Sequence, residues 1–324
     1  PGATSYEAYP SPVDDPVITA NLVNAADIRG GAMLYDTAGN LHKYIGDWFD
    51  IYSGNQYQDN FGGYGSFALD WYFIAWGDDF YATNQWSLIQ TGTMGVAAVG
   101  DVVGSPTGCK SLDVVRDFIM VAQDQADAAA QKVVKWCALG DPTDWVPSVT
   151  TQAGAQILQS GGNVQRIIGG EYATIFCERS IWRATYVGTP LIWQFDEVEK
   201  GRGAFDDSCV IRIGELIYFL DFKGFFVFDG TNSRPISSER INQTFFNDFA
   251  RFNRRIIPAA DEKNNQLYWW YLNNSAQWRC MVYNWVTNRW TGPTDVNATW
   301  AMFDDEKDAI SIFPEAGLPS RYGT

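Results

Sequence analysis

Lys132-Val133-Val134-Lys135-Trp136-Cys137-Ala138-Leu139-Gly140-Asp141-Pro142-Thr143-Asp144-Trp145 reads as a short apolar strand, a polar turn and then a Trp. The pattern returns at 277–290, which ends Val282-Tyr283-Asn284-Trp285-Val286-Thr287-Asn288-Arg289-Trp290. Less regular versions recur along much of the chain. Degenerate β-units, each closed by an aromatic, predict radial repetition, and so a rigid propeller rather than an enzyme built around one deep pocket.

Strand signals continue outward from these two units. Residues 71–76, a turn at Gly77-Asp78-Asp79 and residues 80–82 read as a hairpin, and residues 26–52 alternate around a turn at 37–40. Residues 114–121 form one unbroken β-rich run, and 126–130 read as a hairpin tip leading into the strand at 132–136. Further runs lie at 164–168, 172–177, 181–186, 192–195, 210–213, 216–220, 225–228, 256–260, 266–271, 279–283 and 298–303. Residues 53–66 and 148–160 read as connections. One segment, 240–254, has helical spacing, with Ile241, Phe245, Phe246, Phe249 and Phe252 as its apolar positions.

Turn signals fall roughly every 8–12 residues and corresponding units roughly 40–50 residues apart. No βαβ alternation is present, which argues against a doubly wound sheet. The expectation is an all-β chain: a β-propeller of about six to seven degenerate blades over 26–324, with an extended N-terminal arm or linker at 1–25 and one short helix. A β-sandwich is the structural alternative.

Composition supports a core. Hydrophobic residues make up 46% of the chain and charged residues 19%, which excludes bulk disorder. The 14 Trp and 16 Tyr suit short strands wedged by flat side chains. Trp71, Trp76, Trp136, Trp182, Trp269 and Trp285 fall within strand patterns, so core burial is expected rather than an exposed sugar-binding row. The net charge of −15 disfavours wide-area nucleic-acid binding, which needs clustered Lys and Arg. An acidic channel would let a polyanion pass without sticking.

The five cysteines, Cys109, Cys137, Cys177, Cys209 and Cys280, lack metal-ligand spacing and read as reduced, buried thiols. A single histidine, His42, removes most His-based catalysis and any His-rich metal site. No run of about 18 apolar residues exists, so no membrane-spanning segment is expected. No signal peptide is read at the start, and Pro1-Gly2 in place of Met implies an encoded start that was removed or lies upstream.

Catalytic motifs fail in turn. Gly104-Ser105-Pro106-Thr107-Gly108-Cys109-Lys110-Ser111 has Cys109 where a phosphate loop needs glycine, and a β-rich run follows where a helix is required. The carboxylate groups Asp78-Asp79, Asp206-Asp207, Asp304-Asp305-Glu306 and Asp196-Glu197 with Glu199 sit at turns, where Asp caps backbone groups. The Ser-x-Asp-x-Gly-x-x-Trp box of sialidase-type propellers is absent, and no Ser-His-Asp set or nucleophile elbow is present. Arg179 and Arg183 share one face of a hairpin, within reach of Glu178, Glu171 or a partner subunit, and Arg254-Arg255 is the other basic pair. The expectation is no enzyme activity, no catalytic residue, no metal and no cofactor.

From Phe176-Cys177-Glu178-Arg179-Ser180-Ile181-Trp182-Arg183 the chain resembles a known family. The likeness runs through Gly188 and Gly203 to Ile217-Tyr218-Phe219-Leu220, Gly224-Phe225-Phe226-Val227-Phe228-Asp229-Gly230 and Pro235-Ile236-Ser237-Ser238-Glu239-Arg240-Ile241, with 135–145 upstream. These ordered blocks, over roughly residues 65–300, resemble the tail nozzle proteins of short-tailed bacteriophages, also called head-completion or DNA-stabilisation proteins. The resemblance implies a virion protein of the phage tail, assembled in the host cytoplasm as a hexameric ring below the portal and adaptor. Such a ring retains packaged DNA and extends the ejection channel without sequence-specific binding. Its neighbours would be the tail adaptor and other tail, needle or fiber proteins.

The chain is short for that family, which commonly adds insertions or a platform outside the propeller. In such a ring the expected channel-lining residues are Asp78, Asp79, Asp304, Asp305 and Glu306, and Trp145 and Trp290 are the expected structural wedges. The alternative function is a carbohydrate-binding or polysaccharide-degrading propeller such as a tail adhesin. An interaction propeller of the WD or kelch type is weakened because neither signature repeats with the period.

Overall fold

The computed structural model describes residues 12–14, 28–47, 50–53, 56–60, 69–96, 98–251, 255–296, 300–304, 309–313 and 320–322. Seven four-stranded antiparallel sheets account for its described strands, each strand pairing with its sequence neighbours except that Pro12–Asp14 pairs with Ser320–Tyr322, and the fold is an all-β propeller. The chain divides into two compact units, 29–235 and 1–28 with 236–324.

The unit 29–235 holds five blades. Blade 1 is Gly30–Tyr35, Leu41–Gly46, Asp50–Ser53 and Gln56–Asn60, and blade 2 is Tyr72–Trp76, Asp79–Thr83, Gln90–Thr93 and Gly100–Asp101. Blade 3 is Ser111–Val115, Phe118–Ala122, Val133–Trp136 and Gly154–Ile157. Blade 4 is Val164–Ile168, Ala173–Cys177, Ser180–Gly188 and Ile192–Lys200, and blade 5 is Val210–Ile213, Leu216–Asp221, Gly224–Phe228 and Ser233–Pro235.

First strands of neighbouring blades lie side by side. Gly170 N–H donates to Val114 O at 3.0 Å and Arg116 N–H to Gly170 O at 2.9 Å, joining blades 4 and 3. The Ser111 hydroxyl accepts from Ile167 N–H at 2.9 Å beside them. The second strands are buried on both faces, so Phe118–Ala122 reads as a continuous apolar run and Ala173–Cys177 as one interrupted only by Thr174, every residue of both being buried. One apolar cluster runs through blades 2, 3 and 4, and includes Phe118, Trp136, Ile175 and Trp193.

In the unit 1–28 with 236–324, blade 6 is Ile256–Asp261, Gln266–Leu272, Trp278–Asn284 and Arg289–Asp295. Blade 7 orders Pro12–Asp14, Ser320–Tyr322, Ala309–Phe313 and Trp300–Asp304. Pro12–Asp14 thus supplies a strand from within the segment read as an arm. The remainder of 1–25 lies outside the described residues.

Four local expectations change. The run 114–121 is two strands, broken at Arg116-Asp117, where Arg116 adopts a left-handed φ of 54° that turns the chain back on itself. The connections 53–66 and 148–160 each carry a fourth blade strand, Gln56–Asn60 and Gly154–Ile157. Helix α1 spans only Glu239–Asp248. It stops because Phe249 turns extended (φ −64°, ψ 127°) and bridges to Asn273, while its N–H still closes on Phe245 O. Phe252 lies outside the described residues.

The two opening units share only their strand. Both contribute the third strand of a blade, Val133–Trp136 and Trp278–Asn284. The connection to the fourth strand is then short in blade 6, so Trp290 lies on that strand. In blade 3 it is long, and Trp145 lies in the loop before Gly154–Ile157.

Candidate functional site

A buried polar cluster joins four blades of the unit 29–235, and Lys110 is its hub. Lys110 immediately precedes Ser111–Val115, held there by its N–H donating to Ala122 O at 2.8 Å. Its Nζ reaches Gln165 Oε1 at 2.6 Å, Asp206 Oδ1 at 3.0 Å and Asp207 Oδ1 at 3.2 Å. An ammonium has three donors, and each finds an acceptor.

Local structure aims each partner. Val164–Ile168 shifts register between Val164 and Arg166, so Gln165 is the extra residue of a bulge, which re-aims side chains. Asp206 caps the 3₁₀ turn Asp207–Cys209, accepting from Asp207 N–H at 2.9 Å, with Cys209 Sγ completing the cap by accepting from Asp206 N–H at 3.3 Å. That turn leads directly into Val210–Ile213. Asp207 Oδ2 accepts from Tyr72 Oη at 2.8 Å and from Gln85 Nε2 at 2.7 Å. Gln85 holds a left-handed φ of 65°, uncommon for a residue with a Cβ. Arg166 lies over the Tyr72 ring, its Cζ 3.7 Å from the centroid.

The two carboxylates have opposite electrostatics. Burial opposes ionisation of Asp207, but the Lys110 charge and the hydrogen bonds from Tyr72 and its neighbours outweigh it and hold the carboxyl at about 2. Burial pushes Asp206 up to about 7, reinforced by the Asp207 charge beside it. Burial and the attraction of both carboxylates act on Lys110 in opposite senses, and the attraction wins, raising its pKa. Burial raises the Tyr72 phenol well above its ordinary value, with the Asp207 charge adding to the shift. The arrangement sets one ammonium between two carboxylates. It is a clasp between blades 2, 3, 4 and 5.

No spacing rule links Lys110 to residues near 206, so only the fold assembles this site. The sequence did mark Asp206-Asp207 as a turn, and Asp206 does cap one. Lys110 is held in a loop followed by a strand, where a phosphate loop would need a helix.

The expected site residues lie elsewhere. Asp78 is in the turn between the first two strands of blade 2, after Gly77 at φ 62°, and accepts from the Thr37 N–H at 2.9 Å and the Thr37 hydroxyl. Asp79 begins Asp79–Thr83 and accepts from the Thr93 hydroxyl at 2.7 Å. Asp304 ends Trp300–Asp304, with its side chain outside the described residues, as are Asp305 and Glu306.

Trp145 is buried in the blade 2–4 cluster, with Nε1 donating to Pro142 O at 2.9 Å. Trp290 is half-buried, stacks on Tyr283 at 5.0 Å and donates to Ile236 O at 2.9 Å. Arg183 donates to Gly230 O and lies over Tyr172 at 4.7 Å, rather than pairing with Glu178 or Glu171. All five cysteines are free and buried. Among the described residues no group of three or more His, Cys, Asp or Glu is placed to hold a metal ion, and no helix is long and apolar enough to cross a membrane.

No family model and no curated protein matches the chain. Solved structures do. The extracellular domain of BT4673 from B. thetaiotaomicron aligns over 96% of this chain at 9% identity and a TM-score of 0.58, and that of BT3049 over 92% at 10% and 0.53. BamB from Moraxella catarrhalis aligns over 92% of this chain and 83% of its own, at 8% identity and a TM-score of 0.50. The chain spans 40% of each of the two Bacteroides chains. At such identities the likeness concerns fold alone.

Proposed function

We propose that the chain is a structural virion protein, a subunit of a hexameric ring in the tail nozzle of a short-tailed bacteriophage, and not an enzyme. In this reading the ring assembles in the host cytoplasm, meets the tail adaptor and other tail proteins, retains packaged DNA and forms part of its ejection channel.

The observation that supports the reading is where the family-like blocks meet. Phe176 packs on Phe219 at 5.1 Å and on Phe228 at 6.2 Å, Ala204 N–H donates to Cys177 O at 2.9 Å, and Arg183 donates to Gly230 O. Blocks far apart in sequence therefore build one joint between blades 4 and 5. Residues that build a joint suit a part that must stay rigid under load, where a catalytic protein would gather its distinctive residues around a pocket.

Mass photometry and end-on electron micrographs of the purified protein test this. Six-fold rings, or rings formed on adding the adaptor, are the expected result. A protein that stays monomeric with adaptor present and releases sugar from host polysaccharide overturns it in favour of a depolymerising propeller.

A further inference from the structure

Antiparallel blades gather the turns between first and second strands, and between third and fourth, at one end of the unit 29–235, and the other connections at the opposite end. The two ends of blades 3 to 5 differ in chemistry. At the first end, the loop 137–153 of blade 3 carries Val146 at 71% and Val149 at 63% exposed, and the hairpin tip 189–191 of blade 4 carries Leu191 at 73%. Leu139 and Val187 in the same two segments are also exposed. The segments touch: the Tyr186 hydroxyl donates to Gln152 Oε1 at 2.7 Å, and Phe118 packs on Tyr186 at 5.7 Å and on Trp193 at 5.3 Å. The exposed charges in the turns of blades 3 and 4 at this end are Arg116, Asp117, Asp141 and Glu171. Arg116 pairs with Glu171 at 3.0 Å and lies over the Tyr186 ring, so the remaining rim is acidic. Single exposed aliphatics are ordinary, but a set on two touching loops with a polar rim marks an interaction surface.

The opposite end has the reverse charge. In the connections 123–132, 178–179 and 222–223, which join second to third strands of blades 3, 4 and 5, the exposed charges are Lys132, Arg179 and Lys223, one cation per blade. Acids in the same connections are held by cations of their own: Asp124 accepts from Lys135 at 2.6 Å, and Asp221 pairs with Arg202 at 3.3 Å. Exposed apolar side chains stand beside two of the exposed cations. Phe222 precedes Lys223, and Ile157 pairs across the sheet with Val133, next to Lys132. We propose that the aliphatic, acidic end of blades 3 and 4 docks on the basic end of blades 3 to 5 of a second copy of this chain. One chain then carries both halves of a heterologous, head-to-tail contact, the kind from which closed rings are built. Opposite charge fixes the orientation, and like charge opposes pairing of two identical ends. The proposal rests on the ring reading for its occupant and adds to it the two surfaces that meet.

Two variants split the contact. Val146→Ser with Leu191→Ser removes aliphatic surface from the first end. Lys132→Glu with Arg179→Glu and Lys223→Glu reverses the charge of the second. All five side chains are exposed, so both variants are expected to keep the wild-type thermal midpoint. In sedimentation velocity each variant alone should assemble about tenfold or more weakly than wild type. At a concentration where each alone is monomeric, an equal mixture should give one-to-one pairs and nothing larger. The serine variant keeps its basic end and the glutamate variant its aliphatic end, so only one contact per pair can form.

Wild-type assembly by either variant overturns the proposal, as does a mixture that fails to pair or grows beyond pairs. Rings that persist in both variants leave the ring reading standing while this contact falls. Open chains of wild-type protein that both variants dissolve keep the contact and remove the ring. A wild-type chain that stays monomeric at every concentration overturns the contact, whereas the ring reading falls only if rings are also missing with adaptor present.

Discussion

The guanidinium carbon of Arg202 lies 3.8 Å from the centroid of the Phe226 ring. Arg202 Nη1 meanwhile reaches Asp221 Oδ1 at 3.3 Å, and the other Asp221 oxygen accepts from Gly203 N–H at 3.1 Å. One arginine following blade 4 thus covers a blade 5 aromatic and neutralises a buried blade 5 carboxylate. Arg202→Ala should lower unfolding free energy by about 2–3 kcal/mol, since it removes a flat cation from a ring and leaves Asp221 with too few partners. Arg202→Lys should recover only part of this, because an ammonium cannot stack as a guanidinium does. Urea midpoints at constant m-value provide the check.

Gly203 passes against the backbone of the same joint. A Cβ there would overlap the Cys177 carbonyl oxygen, with Arg179 N and Glu178 C almost as close. Backbone cannot swing aside as a side chain would. Gly203→Ala is expected to cost about 1–3 kcal/mol and to raise amide exchange in both flanking blades.

The two tryptophans that open the sequence pattern should differ. Trp145 is buried within the core of blades 2–4, so Trp145→Ala should cost about 3–5 kcal/mol. Trp290 is half-buried beside Tyr283, so Trp290→Ala should cost about 1–3 kcal/mol. Equal losses in denaturant titrations would show that the two positions are equivalent after all.

Acid should destabilise the chain through turn aspartates as well as Asp207. The side chains of Asn40 and His42 hold the Asp36 carboxyl at about 2. The Thr37 hydroxyl lowers Asp78, Ala129 N–H lowers Asp127, the Thr143 hydroxyl lowers Asp141, and Asn232 N–H lowers Asp229. A depressed carboxyl contributes stability above its ordinary pKa and loses it as pH falls through the folded value. The thermal midpoint should therefore drop below about pH 4. Thr37→Val should bring Asp78 back towards ordinary titration in a carboxyl-resolved NMR experiment.

The thiols offer a probe of folding. Burial pushes Cys137, Cys177 and Cys209 up to about 12 and raises Cys109 and Cys280 as well. A thiol-reactive dye at neutral pH should modify none of the five in native protein and all of them in denaturant.

The inner strands were legible because enclosure between neighbouring blades demands apolar side chains on both faces. Runs such as Phe118–Ala122 and Gly224–Phe228 announce themselves for that reason. Of the fourth strands, Ile192–Lys200 was legible at its start but most others were not. Gly154–Ile157 is mostly exposed, so its Gly-Ala-Gln-Ile reads as a loop. Strand breaks were hidden where a residue with a Cβ takes a left-handed turn, as Arg116 does.

By itself the sequence determined the all-β class, the propeller repeat, the buried reduced thiols and the turn-capping role of Asp206, since each follows from local composition and short-range periodicity. Tertiary structure alone decided that Lys110 meets Asp206 and Asp207, that a bulge turns Gln165 towards them, and that Arg202 crosses from one blade to the next. Those contacts depend on blades folding separately and then packing. Burial, the main cause that raises Asp206, exists only once they have.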